Sequence, residues 1–413
     1  EATVTVCVGL DLSVSKIATL TYDRTYNWKI DKTGPGTVVI GEVIDPVTGE
    51  KSYQTSVEYT ITVTPDGYTD SRQSLFGTIT VQNPNQWQDI EATVSDAVSI
   101  PGVNCVVVNP TQTIPRATLV NDVVTPGSVV FTYSCTGVVQ DSYTGTNTAT
   151  VVWNQTAHAT PNGSKSATVG IDVQAPTTGL NQTINVVDPN APTGTFTPVT
   201  WNSAGTATNF TYSRTVDGSV GKCLTVDNTA TIKETNQSDS HQVTVCVPAT
   251  SKTVVARFDR TFSWSIDKQV DKTSVEIGPD GQAQFNYTVT ASPTGFSDSN
   301  YQLSGKILVT NPKDSTAITA SVTDMVGITG ASCTVAGGSN VTLPPNTTEE
   351  FTYTCTLPEQ YAPGADEVNT AVVAWGNNQQ VTATAEINWA IGQRYNQTVS
   401  VMDNKTDPDP ANA

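Results

Sequence analysis

The chain repeats itself, and the repeat is out of phase with its ends. YDRTYNWKIDKT at 22–33 returns as FDRTFSWSIDKQVDKT at 258–273, so Asp23, Arg24, Trp28, Ile30, Asp31 and Lys32 recur as Asp259, Arg260, Trp264, Ile266, Asp267 and Lys268. Upstream, TVTVCV at 3–8 matches QVTVCV at 242–247, and Ser15-Lys16 matches Ser251-Lys252. Downstream, GTITVQNP ending at Pro84 matches GKILVTNP ending at Pro312, and FTYSC ending at Cys135 matches FTYTC ending at Cys355. GTNTATVVW ending at Trp153 then answers EVNTAVVAW ending at Trp375, and NQTINVVD from Asn181 answers NQTVSVMD from Asn396. The offset shrinks along the copies, as loop insertions between preserved strands would make it. Repetition of this length decides architecture before any residue-level reading. Residues 189–241 have no second copy, so the chain opens on what reads as the closing strand of the middle unit and ends on the opening strand of another. Either the sequence is cut from a longer array, or neighbouring subunits supply each other's missing strands.

The period within the repeats is two. In SVEYTITVT (56–64) Val57, Tyr59, Ile61 and Val63 share one face, and in QAQFNYTVT (282–290) Phe285, Tyr287 and Val289 do. Such alternation marks half-buried strands of antiparallel sheets. Turn signals punctuate it at Thr33-Gly34-Pro35-Gly36, Pro65-Asp66-Gly67, Asn83-Pro84-Asn85, Pro279-Asp280-Gly281 and Asn311-Pro312, a spacing that predicts β-sandwiches. No window predicts a helix. At 413 residues the chain exceeds one ordinary core. The reading is three units, 10–174, 175–250 and 251–390, the first and third being copies, with a single strand at 1–9 and a strand with a turn-rich tail at 391–413. Trp28 and Trp264, in alternation with apolar neighbours, are expected in the core. Arg24 and Arg260 are expected in structural salt bridges at strand starts.

Composition excludes several classes. Charged residues make up 14% of the chain and the net charge is −18, with no Lys/Arg cluster, which disfavours nucleic acid. No run of about twenty apolar residues predicts a membrane-spanning helix. Glu1 followed at once by strand-like ATVTVCV reads as a mature end left by signal-peptide removal, or equally as an arbitrary cut. The repeat aligns Cys105 and Cys135 with Cys333 and Cys355, predicting one disulfide in each copy, and Cys223 with Cys246 makes a third. Cys7 aligns with Cys246 but has no partner of its own, so it is either an inert thiol or an intermolecular link. Disulfides place the chain in an oxidising, extracellular compartment. Asn154, Asn162, Asn181, Asn209, Asn236, Asn286, Asn340, Asn346, Asn396 and Asn404 each head an Asn-x-Ser/Thr triplet and are glycosylation candidates.

The set DRTY-x-W-x-I-D-K, G-x-I-x-V-x-N-P, the strand carrying Ser321, Val322 and Asp324, then Y-x-C and N-T-A, resembles the repeated immunoglobulin-like domains of large secreted bacterial and archaeal surface proteins. The resemblance implies an all-β chain of tandem immunoglobulin-like antiparallel β-sandwiches, extracellular, at the cell surface, and without catalysis. It supplies no catalytic residues. The two histidines, His158 and His241, stand at no metal-ligand spacing, and no nucleophile, zinc or phosphate-loop motif is present. No cofactor is expected. Calcium is the one cation weighed, because Asp188-Pro189-Asn190 and Asp403-Asn404-Lys405-Thr406-Asp407 gather oxygen donors, though neither is an EF-hand loop. Lys–Asn isopeptide bonds are a further candidate, with Lys32 or Lys268 read against Asn147 or Asn369.

Two functions follow. In the first, the chain is a subunit of an extracellular filament, and the strand carrying Ala2, Val4, Val6 and Val8 is donated to another copy head to tail by β-augmentation. In the second, it is a stalk or spacer of a surface adhesin or surface-layer protein. Its partners would be copies of itself, and surface glycans or host and cell surfaces.

Overall fold

The computed structural model describes residues 2–4, 6–138, 144–172, 176–359, 361–364, 367–376 and 378–403. The tail from Asn404, with its sequon, and the boundary set at 174/175 lie outside them. The chain is all-β, and the one helix among the described residues is the single turn Gln155–His158. That turn departs from a helix-free expectation for a local reason: the Asn154 side chain accepts from the Ala157 backbone and caps it. The chain divides into two compact units. One is Glu1–Thr33, Thr60–Tyr212 and Thr229–Ser240; the other is Gly34–Tyr59, Ser213–Asn228 and His241–Ala413.

Each unit contains one copy of the same sandwich. In the first, a sheet ordered Thr178–Leu180, Ser13–Thr33, Gln54–Asn83, Gly127–Thr136, Asn104–Val107 faces a sheet ordered Ser164–Asp172, Thr144–Trp153, Ile90–Val98, Thr111–Ile114. Leu12, Ile79, Val81, Ile90, Val94, Phe131, Val151 and Trp153 fill the space between them. In the second, the order is Ser332–Val335, Thr347–Thr356, Tyr287–Asn311, Val255–Val270, Trp389–Tyr395, facing Val341–Leu343, Ile318–Val326, Val368–Trp375, Gln379–Glu386. Alternation decides which residues go in. Val57, Tyr59, Ile61 and Val63 are buried on successive inward positions of one strand. The stretch 282–290 behaves differently: its strand begins only at Tyr287, and Phe285 and Tyr287 are exposed.

Pro65-Asp66-Gly67 reads as a turn but lies inside a strand. Trp28 pairs with Pro65 and Tyr26 with Tyr68, so Asp66 and Gly67 together oppose Asn27. Gly67 takes φ +76° within this bulge, a conformation that glycine adopts without strain. A second bulge sets Arg72 and Gln73 against Tyr22. Both recur in the other copy, where Thr294 is the extra residue between Pro293 and Gly295, and Asn300 and Tyr301 oppose Phe258. A bulge bends and twists a ladder without ending it. Strand Ser13–Thr33 therefore stays paired over its whole length, first with Ser74–Gln82 and then with Thr60–Ser71.

The repeated Asp-Arg motif lies mid-strand, not at a strand start. Arg24 donates through Nε and Nη2 to both carboxylate oxygens of Asp70 at 2.7 and 2.8 Å, and stacks on the Tyr68 ring. Arg260 repeats this with Asp298 and Phe296. The fork geometry suits guanidinium and carboxylate. Trp28 is 2% exposed, as a core residue should be, whereas Trp264 is 36% exposed. Residues 189–241, which follow NQTINVVD and supply Trp201 and Tyr212 beside Tyr26 and Lys32, have no second copy within these 413 residues.

Disulfides join Cys105 to Cys135, Cys223 to Cys246, and Cys333 to Cys355. In both copies the cysteines are directly opposed residues of neighbouring strands in one sheet. Closing a loop of about twenty to thirty residues stabilises by roughly 3 kcal/mol, less whatever the ladder already enforces. The double variant C333S/C355S is expected to lose about 2 kcal/mol in urea unfolding, with C105S/C135S losing a similar amount. Equal transitions with and without the bridge would show that the ladder alone holds the pair.

Candidate functional site

Among the buried charges, one cluster recurs in both sandwiches. In the first sandwich Lys16 lies on the inward phase of its strand with Leu12, Val14, Ala18 and Leu20. Its Nζ donates to Asp96 Oδ1 at 2.5 Å and sits 3.4 Å from the centroid of the Tyr133 ring. The Lys16 and Asp96 side chains are almost fully buried. Asn147, fully buried, donates through Nδ2 to the Tyr133 hydroxyl at 3.2 Å, and that hydroxyl donates to the Ile17 carbonyl at 3.0 Å. Asn147 Oδ1 and Asp96 Oδ2 are buried without a hydrogen-bond partner.

The second sandwich repeats the cluster more tightly. Lys252 Nζ donates to Asp324 Oδ1 and to Asn369 Oδ1, both at 2.5 Å, over the Tyr353 ring at 4.2 Å. Tyr353 donates to the Thr253 carbonyl at 2.9 Å, the counterpart of Tyr133 to Ile17. The ladder fixes the arrangement identically in both: Asp96 faces Ala149 and Val98 faces Asn147, as Asp324 faces Ala371 and Val326 faces Asn369. Acid and amide are thus diagonal neighbours on one face of the four-stranded sheet. The lysine arrives from the opposing sheet. The Cys355 sulfur lies 3.8 Å from Asp324 and 3.9 Å from Asn369, so the disulfide walls the cluster.

Burial sets the electrostatics. It pushes the Lys252 ammonium and the Lys16 ammonium below the ordinary lysine range, against the pull of their carboxylate partners. It pushes the Asp324 carboxyl up, and Tyr133 and Tyr353 likewise. Lys252 and Asp324 are thus both driven by burial toward their neutral forms.

Asn147 and Asn369 are the amides singled out in sequence, but the lysine bonded to Asn369 is Lys252, and the lysine that shares Tyr133 with Asn147 is Lys16. Lys32 and Lys268 are elsewhere. Lys32, whose side chain is fully buried, bonds Asp188 and the Tyr212 hydroxyl, which itself donates to Asp188 at 2.6 Å. Lys268 bonds Asp403 with its side chain 41% exposed. In sequence the third N-T-A motif begins at Asn228, which is buried. The signal for Lys16 was its inward phase: a lysine alternating with apolar residues is set against the core and must find a partner there.

The remaining candidates disperse. Asp188 is engaged by Lys32 and Tyr212 and also accepts from the Asn190 backbone, so this turn has its oxygens committed within the protein. Among the described residues, the groups of acids and cysteines within ligand reach of one another are Asp96 with Cys105 and Cys135, and Asp324 with Cys333 and Cys355. Their sulfurs are in disulfides and are not thiolate ligands. His158 bonds Gln88 and His241 bonds the Pro35 carbonyl. The Asn154, Asn162, Asn209, Asn236, Asn286, Asn340, Asn346 and Asn396 residues are exposed, and Asn181 is half-buried. Asn181, Asn236, Asn340, Asn346 and Asn396 take positive φ, a turn geometry that itself favours asparagine. Asn181 and Asn396 also accept the indole N–H of Trp28 and Trp264 on their carbonyls, which explains why the W and NQT motifs recur together. Ala2, Val4, Val6 and Val8 belong to no strand, and the three valines are 72–82% exposed. Cys7 is an exposed free thiol. No helix among the described residues is long and apolar enough to cross a membrane.

No family model matches the chain, and no curated protein does. Among solved structures, a C-terminal domain of the AgI/II polypeptide BspA from Streptococcus agalactiae aligns at 8% identity over 84% of this chain and 98% of that one, with a TM-score of 0.25. Dimeric latent PorU from Porphyromonas gingivalis aligns at 10% identity over 90% of this chain and 34% of that one, with a TM-score of 0.11. Scores this low carry no argument about fold or function.

Proposed function

We propose that the chain is a structural stalk or spacer of an extracellular, cell-surface protein, built as three sandwich units at 10–174, 175–250 and 251–390 with flanking segments 1–9 and 391–413. The observation that carries this reading is the bulged ladder. Strand Ser13–Thr33 leaves the core around Leu12 and Leu20 and reaches Trp28 and Lys32 without unpairing, so no flexible linker intervenes along it. A spacer that must hold its length is served by a ladder that runs unbroken through the body of a unit. The three disulfides suit an oxidising exterior. Scattering and rotary-shadowed micrographs of the purified chain are expected to give extended monomers of one length. Compact particles would overturn the reading.

A filament is the second reading, and one observation favours it. Segment 2–8 exposes Val4, Val6 and Val8, whereas its sequence match buries Val243, Val245 and Val247 completely. Donation of that strand to another copy would bury the same face. Uniform fibres in the same micrographs, with a ladder on non-reducing gels through Cys7, would replace the stalk by the filament. The stalk also takes no cofactor in this proposal. Because the Asp188 carboxylate is already bonded to Lys32 and Tyr212, chelation of calcium is expected to leave the melting temperature unchanged. A fall on chelation, reversed by calcium, would mean that a calcium site contributes to stability. Glycans or a host surface, as ligands, would be met through exposed loops.

A further inference from the structure

The two buried Lys–Asp–Asn clusters are more than ion pairs. Enclosing an ammonium and a carboxylate carries a desolvation cost that their attraction often fails to recover, and apolar residues of the same volume would serve a core as well. Here both copies retain the charges, at one register, and add an amide to each. In the second cluster the amine nitrogen is 2.5 Å from the amide oxygen, which brings Nζ within reach of the amide carbon. In the first, the amide oxygen is buried with no partner at all. In the second cluster three reactive groups face one another out of water with an aromatic ring beneath the amine, a site organised for acyl transfer, and the first cluster sets the same three residue types at the same register around Tyr133.

We propose that each cluster closes autocatalytically into an isopeptide bond, Lys16 Nζ to Asn147 Cγ and Lys252 Nζ to Asn369 Cγ, with Asp96 and Asp324 as the proton carriers.

The steps balance without any co-reactant. The ammonium passes its proton to the carboxylate, leaving a neutral amine and a neutral acid. The amine lone pair attacks Cγ, the carbonyl pair moves to Oδ1, and the acid protonates that oxygen, stabilising the charge where it develops. The carboxylate next removes a proton from the attacking nitrogen and hands it to Nδ2. The Cγ–Nδ2 bond breaks and ammonia leaves, while the hydroxyl proton returns to the aspartate. An amine and a carboxamide have become a secondary amide and ammonia. The product buries no charge, since the aspartic acid is protonated and the new amide is neutral, so the reaction removes the desolvation cost that the starting pair carries. In the second cluster the lowered proton affinity of Lys252 and the raised one of Asp324 favour the first step.

Placement gives the bond a purpose that the disulfides leave open. Each disulfide joins neighbouring strands of one sheet. Each Lys–Asn bond instead joins the two sheets of a sandwich: Lys16 lies in the six-stranded sheet and Asn147 in the four-stranded one, as do Lys252 and Asn369 in the second copy. Sheets so linked cannot be peeled apart. The inference stands on the clusters themselves and holds whether the chain is a stalk or a filament.

Intact mass spectrometry of the full chain, reduced and denatured, decides it. The expected mass is below the sequence mass by at least two ammonias, and proteolysis should yield branched peptides joining Lys16 to Asn147 and Lys252 to Asn369. The unmodified sequence mass from a chain that is folded by circular dichroism before denaturation, with no branched peptides, would overturn the proposal. K252R should restore one ammonia and abolish only the second branched peptide. D324A should do the same with lysine and asparagine both present. If the Lys252–Asn369 branch forms at undiminished yield in D324A, the role assigned to Asp324 is wrong.

Discussion

Trp28→Ala is expected to destabilise the chain by about 4 kcal/mol, and Trp264→Ala by about 1–2 kcal/mol, although the two tryptophans hold the same motif position. The motif gives each the same local bond, an indole N–H donated at 2.8 Å to the carbonyl of Asn181 or Asn396. What differs is cover. Trp28 is 2% exposed, on a strand whose backbone is held by a bulged ladder, and its removal opens a cavity the size of an indole. Trp264 is 36% exposed, so water replaces part of what is lost. Urea unfolding of the two single variants, followed by tryptophan-independent far-ultraviolet dichroism, measures the difference. Equal losses would mean that the motif's hydrogen bond dominates, and that burial of the ring contributes little.

The same contrast shows where sequence reasoning reaches and where it stops. Period two reads directly as strand because the pleat sends alternate side chains to opposite faces, and Val57, Tyr59, Ile61 and Val63 obey it. Cysteine positions are legible because a repeat places both partners twice. Pro65-Asp66-Gly67 is misread as a turn because a two-against-one bulge uses the same residues as a hairpin, and only the partner strand distinguishes them. The lysine of the buried cluster is misassigned for a related reason. Lys32 is conspicuous inside a recurring motif, whereas Lys16 recurs inconspicuously, and the choice between them depends on how high along one strand the N-T-A strand of the other sheet crosses. That height is a property of sheet packing, which no local pattern carries. The inward phase of Leu12, Val14, Lys16, Ala18 and Leu20 was nonetheless present in the sequence, and a charged residue in such a phase is the more informative signal.

Cross-sheet links and core packing act on the middle of each sandwich; its edge depends on an asparagine. Asn83→Ala is expected to cost about 4 kcal/mol, and Asn311→Ala a similar amount, because each side chain substitutes for a strand where the ladder ends. Asn83 is fully buried. Its Nδ2 donates to the carbonyls of Gln88 at 2.8 Å and Ile114 at 3.3 Å, and its Oδ1 accepts from the Asn85 backbone and side chain, each at 2.9 Å. Asn311 does the same work: Nδ2 donates to Thr316, Leu343 and Pro344 carbonyls at 3.1–3.2 Å, and Oδ1 accepts from the Lys313 backbone at 3.0 Å. The proline that follows each asparagine has no N–H and cannot continue the ladder, so the carbonyls of the crossing loop turn to the amide instead. Alanine removes the side-chain partner of two carbonyls and of one backbone amide, at about 1–3 kcal/mol for each group that stays buried and unpaired. Aspartate at position 83 separates this from lost volume. It is nearly isosteric but presents oxygen where Nδ2 donated, so N83D should be at least as destabilising as N83A, with the largest increase in amide hydrogen exchange at Gln88–Asp89 and Ile114–Ala117. An N83D chain that unfolds at the parent midpoint would show that water reaches these carbonyls and that the asparagine is not what closes the sandwich edge.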